Sequence, residues 1–118
     1  MRTLGIWLAR KPWRWQSASL GARADRLRRQ RSFAAAIPLY QQYLATRTDH
    51  ATAWMLFGHC LKENRQLAEA GQAYAEAVRL DPRNPDALEA QADFLKASGR
   101  HNEAQATLLA ADKLGGGA

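Results

Sequence analysis

Large apolar and small residues recur along this chain at helical spacing, and the recurrence itself repeats. Leu20 and Leu27, Trp54 and Leu61, and Leu88 and Leu95 are pairs seven residues apart. Seven residues are two helical turns, so each pair faces one way on one helix. Ala24, Gly58 and Ala92 sit between the members of these pairs. A second set of small residues, Ala36, Ala70 and Ala104, is followed four positions later by Tyr40, Tyr74 and Leu108. Every column advances by 34 residues, which divides the chain into blocks 17–50, 51–84 and 85–118. Each block holds two helical patterns separated by a polar break: Gln30-Arg31-Ser32, Asn64-Arg65-Gln66 or Ser98-Gly99-Arg100. The spacing predicts first helices over 17–30, 51–63 and 85–97, and second helices over 34–46, 67–80 and 101–114. Such short connections make the helices of a pair antiparallel. Large side chains then fill the holes left by alanine and glycine. One face of each pair stays uncovered, so neighbouring pairs must stack, with the first helices lining a concave face.

The middle block reads Trp54-x2-Phe57-Gly58-x2-Leu61, then Ala70-x3-Tyr74-x2-Ala77, then Asp81-Pro82. It resembles a tetratricopeptide repeat, whose period is 34 residues. The resemblance implies an all-α fold, a right-handed solenoid of three antiparallel helix pairs. It also implies a non-catalytic scaffold or adaptor that holds a peptide or protein in its concave groove. Members that bind the carboxylate tail of cytosolic chaperones carry a Lys, Asn and Arg clamp on this face. Here those early positions read Gly21 and Asp25, then Asp86 and Ala90, and acids would repel such a tail. A narrower resemblance covers about one and a half repeats, from Phe33-Ala34-Ala35-Ala36-Ile37-Pro38 through His59-x-Leu61-Lys62-Glu63. It is similar to segments preceding some bacterial glycosyltransferase domains, which implies an accessory role in glycan assembly as an alternative.

The outer blocks depart from the pattern. The first has Arg23 where the second has Phe57, and Pro38 inside its second helix. Pro38 is expected about a turn in, where the lost N–H is one of the donors that lack a helical partner. The third block has Leu88 and Gln91 where the second has Trp54 and Phe57, and it runs into Gly115-Gly116-Gly117. No extra polar helix follows it. A partner, a second copy of the chain or a longer protein would therefore cover that end.

Charge changes the picture at the amino-terminal side. Residues 1–31 hold nine Arg or Lys against one acid, Asp25, while the remaining residues hold eight basic and ten acidic groups. The net charge of +6 thus belongs to the first quarter of the chain. Residues 1–16 form a separate basic segment in which Trp7, Arg10, Lys11, Trp13, Arg14 and Trp15 interleave rings with cations. Such a mixture suits an anionic membrane surface, because indoles lie at headgroup level while cations meet phosphate. The competing readings are a cap on the first repeat and, less favoured, single-stranded nucleic acid. No run approaches the ~18 apolar residues of a membrane span. Leu4 to Ala9 is too short for a secretory apolar core and is followed by Arg10-Lys11-Pro12. A cytoplasmic chain, peripheral at the inner membrane surface in the membrane reading, is expected.

Candidate chemistry is sparse. Cys60 is the only cysteine, which excludes an internal disulfide. It lies between Phe57 and Leu61 and reads as a small core residue. His59 is adjacent to it, but adjacent helical residues point about 100° apart, so the two form no nucleophile–base pair. His50, His59 and His101 do not converge at metal-ligand spacing, and no glycine loop opens a helix to cradle phosphate. No enzyme, cofactor or metal is expected. Opposite the packed columns of the first helices lie Asp25, Arg28 and Arg29, then Thr52, Met55, His59 and Lys62, then Glu89, Asp93 and Lys96. These polar residues of mixed sign are the expected partner-binding groove.

Overall fold

A computed structural model describes the backbone of residues 12–116 and the side chains of residues 19–114. All regular structure among the described residues is helical: α1 (Pro12–Arg29), α2 (Phe33–Thr46), α3 (Ala51–Glu63), α4 (Leu67–Leu80), α5 (Pro85–Ala97) and α6 (His101–Gly116). The polar breaks fall where the sequence put them. The main difference is the start of α1, which begins at Pro12 and not at residue 17. Proline is well suited to a first helical turn, and Pro12 was the available signal. Trp7, Arg10 and Lys11 lie outside the described residues. Trp13, Arg14 and Trp15 fall within α1, and their side chains lie outside the description too.

The chain divides into two compact units, residues 1–48 and residues 49–118. In the first, α1 and α2 pack antiparallel: an added Cβ at Gly21 would stand 3.0 Å from the Tyr43 ring, while Asp25 and Arg28 meet Tyr40. Its core is Ala24, Ala36, Ile37, Tyr40, Tyr43 and Leu44. Gly21 thus supports helix packing, although the sequence had placed it on the open face.

In the second unit, α3 packs on α4, α5 on α6, and α5 also packs beside both α4 and α3. Every alanine of the predicted small columns in this unit, Ala70, Ala92 and Ala104, is fully buried. Gly58 shows why the column must stay small, since a Cβ there would approach the Tyr74 ring to 2.8 Å. Cys60 is buried and in no disulfide, and its apolar neighbours had implied a core position. Phe94 carries the packing between successive pairs, lying 5.8 Å from the Tyr74 ring and against Gly71.

The turn within each pair closes the same way. Ser32 N–H donates to Leu27 C=O and Arg31 N–H to Arg28 C=O; Gln66 and Arg65 repeat this, as do Arg100 and Gly99. This double closure is the Schellman motif, which puts its central residue in the left-handed region. Arg31 (φ 63°), Arg65 (φ 65°) and Gly99 (φ 79°) occupy that position, and only one is glycine.

Pro38 does not break α2. It is the sixth residue of that helix, so its missing N–H would have had a partner in the Ala34 carbonyl. The expectation of an orphan donor therefore fails by three residues, since the helical series already begins with Ala36 N–H donating to Ser32 C=O. The helix persists because both Ala34 and Pro38 are exposed, while the buried Ala36, Ile37 and Tyr40 keep its inner side packed.

Candidate partner-binding faces

The first helices present the expected groove residues, and in two repeats a tyrosine from the second helix grips one of them. In the first unit, Tyr40 Oη donates to Asp25 Oδ1 at 2.6 Å, and Arg28 Nε donates to Tyr40 Oη at 3.0 Å. Arg28 Nη2 also lies 3.8 Å from Asp25 Oδ1, and both side chains are partly buried. Burial, and then the Asp25 carboxylate beside it, pushes the Tyr40 hydroxyl well above its ordinary range, while Arg28 pulls the other way. The phenol stays protonated and bridges the two charges. Arg29 is exposed and, among the described residues, stands outside this cluster.

Thirty-four residues on, Tyr74 holds His59. Tyr74 Oη lies 2.8 Å from His59 Nδ1, and the rings meet edge-on at 5.4 Å and 71°. Burial again raises the Tyr74 hydroxyl most, followed by the charges of Glu63 and Asp93. Asp93, on α5, is therefore an electrostatic neighbour of the tyrosine that holds His59 on α3. The protonated phenol donates to an unprotonated Nδ1 and accepts from a protonated one, so the contact survives either state of the ring. Met55 and Lys62 flank His59 on α3 and are partly buried, while Thr52 is exposed; Glu89, Asp93 and Lys96 on α5 are all exposed. In the third repeat, the tyrosine column holds Leu108, which offers Asp93 no hydroxyl.

Sequence reasoning read Tyr40 and Tyr74 as bulk that fills the space above alanine. Their hydroxyl role was missed. The available signal was the pairing of columns: each tyrosine recurs with a hydrogen-bonding side chain, Asp25 or His59, fifteen residues earlier.

A separate open concavity of about 450 Å³ lies among α4, α5 and α6, with Gly71, Gln72 and Phe94 on its walls and Arg100 and Glu103 at one side. Arg100 is already paired with Glu103, so this concavity offers no unpartnered charge of its own. None of the predicted groove residues lines it. Among the described residues no cluster of His, Cys, Asp or Glu is arranged to hold a metal ion, and no helix is long and apolar enough to cross a membrane.

Two tetratricopeptide repeat models match the sequence, one over residues 22–85 and one over residues 73–106. The first covers more than half the chain, and the chain belongs to the tetratricopeptide repeat family. Similar solved structures include MamA from Desulfovibrio magneticus, at TM-score 0.77 and 19% identity, covering 95% of this chain and 72% of that one. A second is the Yersinia enterocolitica type III secretion chaperone SycD in complex with a peptide of the translocator YopD. It matches at TM-score 0.77 and 20% identity, covering 82% of this chain and 74% of SycD. A third, from a CopN–Scc3 complex, matches at TM-score 0.78 and 16% identity, covering 83% of this chain and 58% of that one. Against a MamA double mutant the chain spans 55% of the other's length. At these identities the likeness is one of fold. No curated protein matches the sequence.

Proposed function

We propose that the protein is a non-catalytic scaffold that binds a peptide or protein segment on the open face of its first helices. The observation that carries this reading is the fixed orientation of a polar groove residue by a buried tyrosine, seen for Asp25 with Tyr40 and for His59 with Tyr74. A side chain that is already held loses little rotational freedom on binding, so its contact with a partner is worth more. In the second unit, Met55 supplies an adaptable apolar contact, His59 a fixed polar one, and Lys62 a cation at the end of the same helical face. Glu89, Asp93 and Lys96 on the adjacent α5 extend the surface with charges of both signs. A bound segment would therefore carry both acidic and basic residues around one apolar anchor. That SycD, of the same fold, was solved with a peptide supports a peptide ligand for this chain.

The test is selection of peptides on the wild-type protein, followed by affinity measurement on a Met55→Ala/His59→Ala/Lys62→Ala variant. The variant should bind the selected peptides at least about tenfold more weakly, a difference of about 1.4 kcal/mol. Equal affinities, with an unchanged melting temperature, would rule out the α3 face as the binding site.

A further inference from the structure

α1 carries a second charged surface, which begins at Arg29, a residue of the expected groove about 40° from Asp25, and runs round the helix away from it through Arg26 to Arg23. Arg23, Arg26 and Arg29 recur at steps of three and fall within about 120° of helical arc, with Ser19 and Ala22 between them. All five residues are exposed, and Arg31 continues the series just beyond the helix, its guanidinium 5.5 Å from the Phe33 ring. Among the described residues none of Arg23, Arg26, Arg29 and Arg31 makes an ion pair, and the only acid nearby in sequence, Asp25, is engaged by Tyr40 and Arg28. Fold stability does not explain this concentration of like charge: the apolar side of α1, with Ala24 buried and Leu20 and Leu27 partly so, already faces its core.

We propose that this arginine face docks the protein on an anionic membrane surface, as a peripheral contact made by charge without insertion. Three features favour a lipid surface over other anionic partners. Among the described residues the stripe has no exposed large apolar side chain, whereas protein interfaces depend on a buried anchor at their centre. Between Arg23 and Arg29 the sequence places no aromatic residue, whereas a stacking platform for single-stranded nucleic acid interleaves rings with its cations. All the cations are arginines, whose guanidinium matches phosphate oxygens in pairs. The apolar face that α1 presents at Leu20, Ala24 and Leu27 is occupied within the fold, so these residues leave the arginines to meet headgroups by charge. Each such cation near an anionic leaflet contributes about 1 kcal/mol, and the effect fades over a Debye length.

The experiment is co-sedimentation of the full chain with vesicles of phosphatidylcholine alone and of phosphatidylcholine with phosphatidylglycerol at three to one. The wild type should sediment with the anionic vesicles only and be released by raised salt. An Arg23→Gln/Arg26→Gln/Arg29→Gln variant should partition on the order of 100-fold more weakly. A variant losing the same charge elsewhere, Arg65→Gln/Arg83→Gln/Lys113→Gln, controls for net charge and should fall far less. Both variants alter exposed residues, and their melting curves report whether the fold is kept. The proposal is overturned if the wild type ignores anionic vesicles, if the α1 variant binds them as the wild type does, or if both variants lose equally. It is also overturned if a single-stranded oligonucleotide or polyglutamate binds the α1 face under conditions where the vesicles do not.

Discussion

The first and second repeats set a tyrosine at the same position and give it different partners. Tyr40 is clamped between a carboxylate and a guanidinium, Asp25 and Arg28; Tyr74 meets a single imidazole, His59, under the more distant charges of Glu63 and Asp93. The first arrangement is internally neutralised, and its groove residues spend their hydrogen bonds on each other. In the second, Met55 and Lys62 flank His59 on α3. A shared scaffold position therefore meets an ion pair in one repeat and a single imidazole in the next. The backbone differs too: α2 accepts Pro38 where α4 has Gln72.

That difference can be tested by removing the proline. Pro38→Ala restores one helical hydrogen bond and a better helix former, and should stabilise the protein by on the order of 2 kcal/mol. Chemical denaturation measures it directly. No gain would mean that α2 gives up nothing to Pro38, and the contrast with α4 would lose its backbone half. The packing half is tested by Gly58→Ala, whose added methyl would sit 2.8 Å from the Tyr74 ring. Forcing that ring aside should cost about 1–3 kcal/mol. It should also weaken binding of peptides selected on the groove, because the ring that moves is the one holding His59.

Next come the hydroxyls. Tyr40→Phe removes a bond to an ionised partner and should cost about 1.5–3 kcal/mol, the range for charged acceptors. Tyr74→Phe loses a bond to a ring nitrogen and should cost about 0.5–1.5 kcal/mol. Equal costs would show that the ion pair adds nothing to the first clamp. Both hydroxyls are raised above the ordinary tyrosine value of 10.0 in the folded state. A raised value means the folded state holds its proton where the unfolded chain has lost it. The stabilisation is thus complete below pH ~10 and falls away as pH rises above it. Each Tyr→Phe variant should lose stability less steeply than the wild type between pH 10 and the alkaline transition.

How much of this was legible in the sequence differs by kind of interaction. Helix positions were legible because apolar spacing and polar breaks both repeat, so each block checks the others. Buried small residues were legible for the same reason: Ala24, Ala36, Ala70, Ala92 and Ala104 stand in fixed columns opposite large ones. The tyrosine bridges were not. Periodicity ranks a residue by bulk and face, and it is silent on where a hydroxyl at the end of that bulk arrives. Pro12 was a legible start for α1 that the 34-residue frame overrode, since the repeat was counted from its first full period. The groove residues were placed on the first helices by periodicity alone, and what holds Asp25 and His59 there came only with the side chains.

The smallest predicted effect lies in the turns, where the repeats differ by one residue type in an otherwise shared closure. Arg31, Arg65 and Gly99 all adopt positive φ, and all close the same pair of hydrogen bonds. For a residue with a Cβ that conformation is strained, whereas glycine adopts it freely. Glycine also gains more freedom in the unfolded chain, which offsets part of the relief. Arg65→Gly should therefore stabilise by only a few tenths to about 1 kcal/mol, and Gly99→Ala should destabilise by about 1 kcal/mol. The two substitutions act on equivalent positions in opposite directions. If Arg65→Gly instead destabilises, the Arg65 side chain makes an interaction that outweighs its backbone strain. The recurrence of arginine at two of the three turns would then reflect more than tolerance of a strained position.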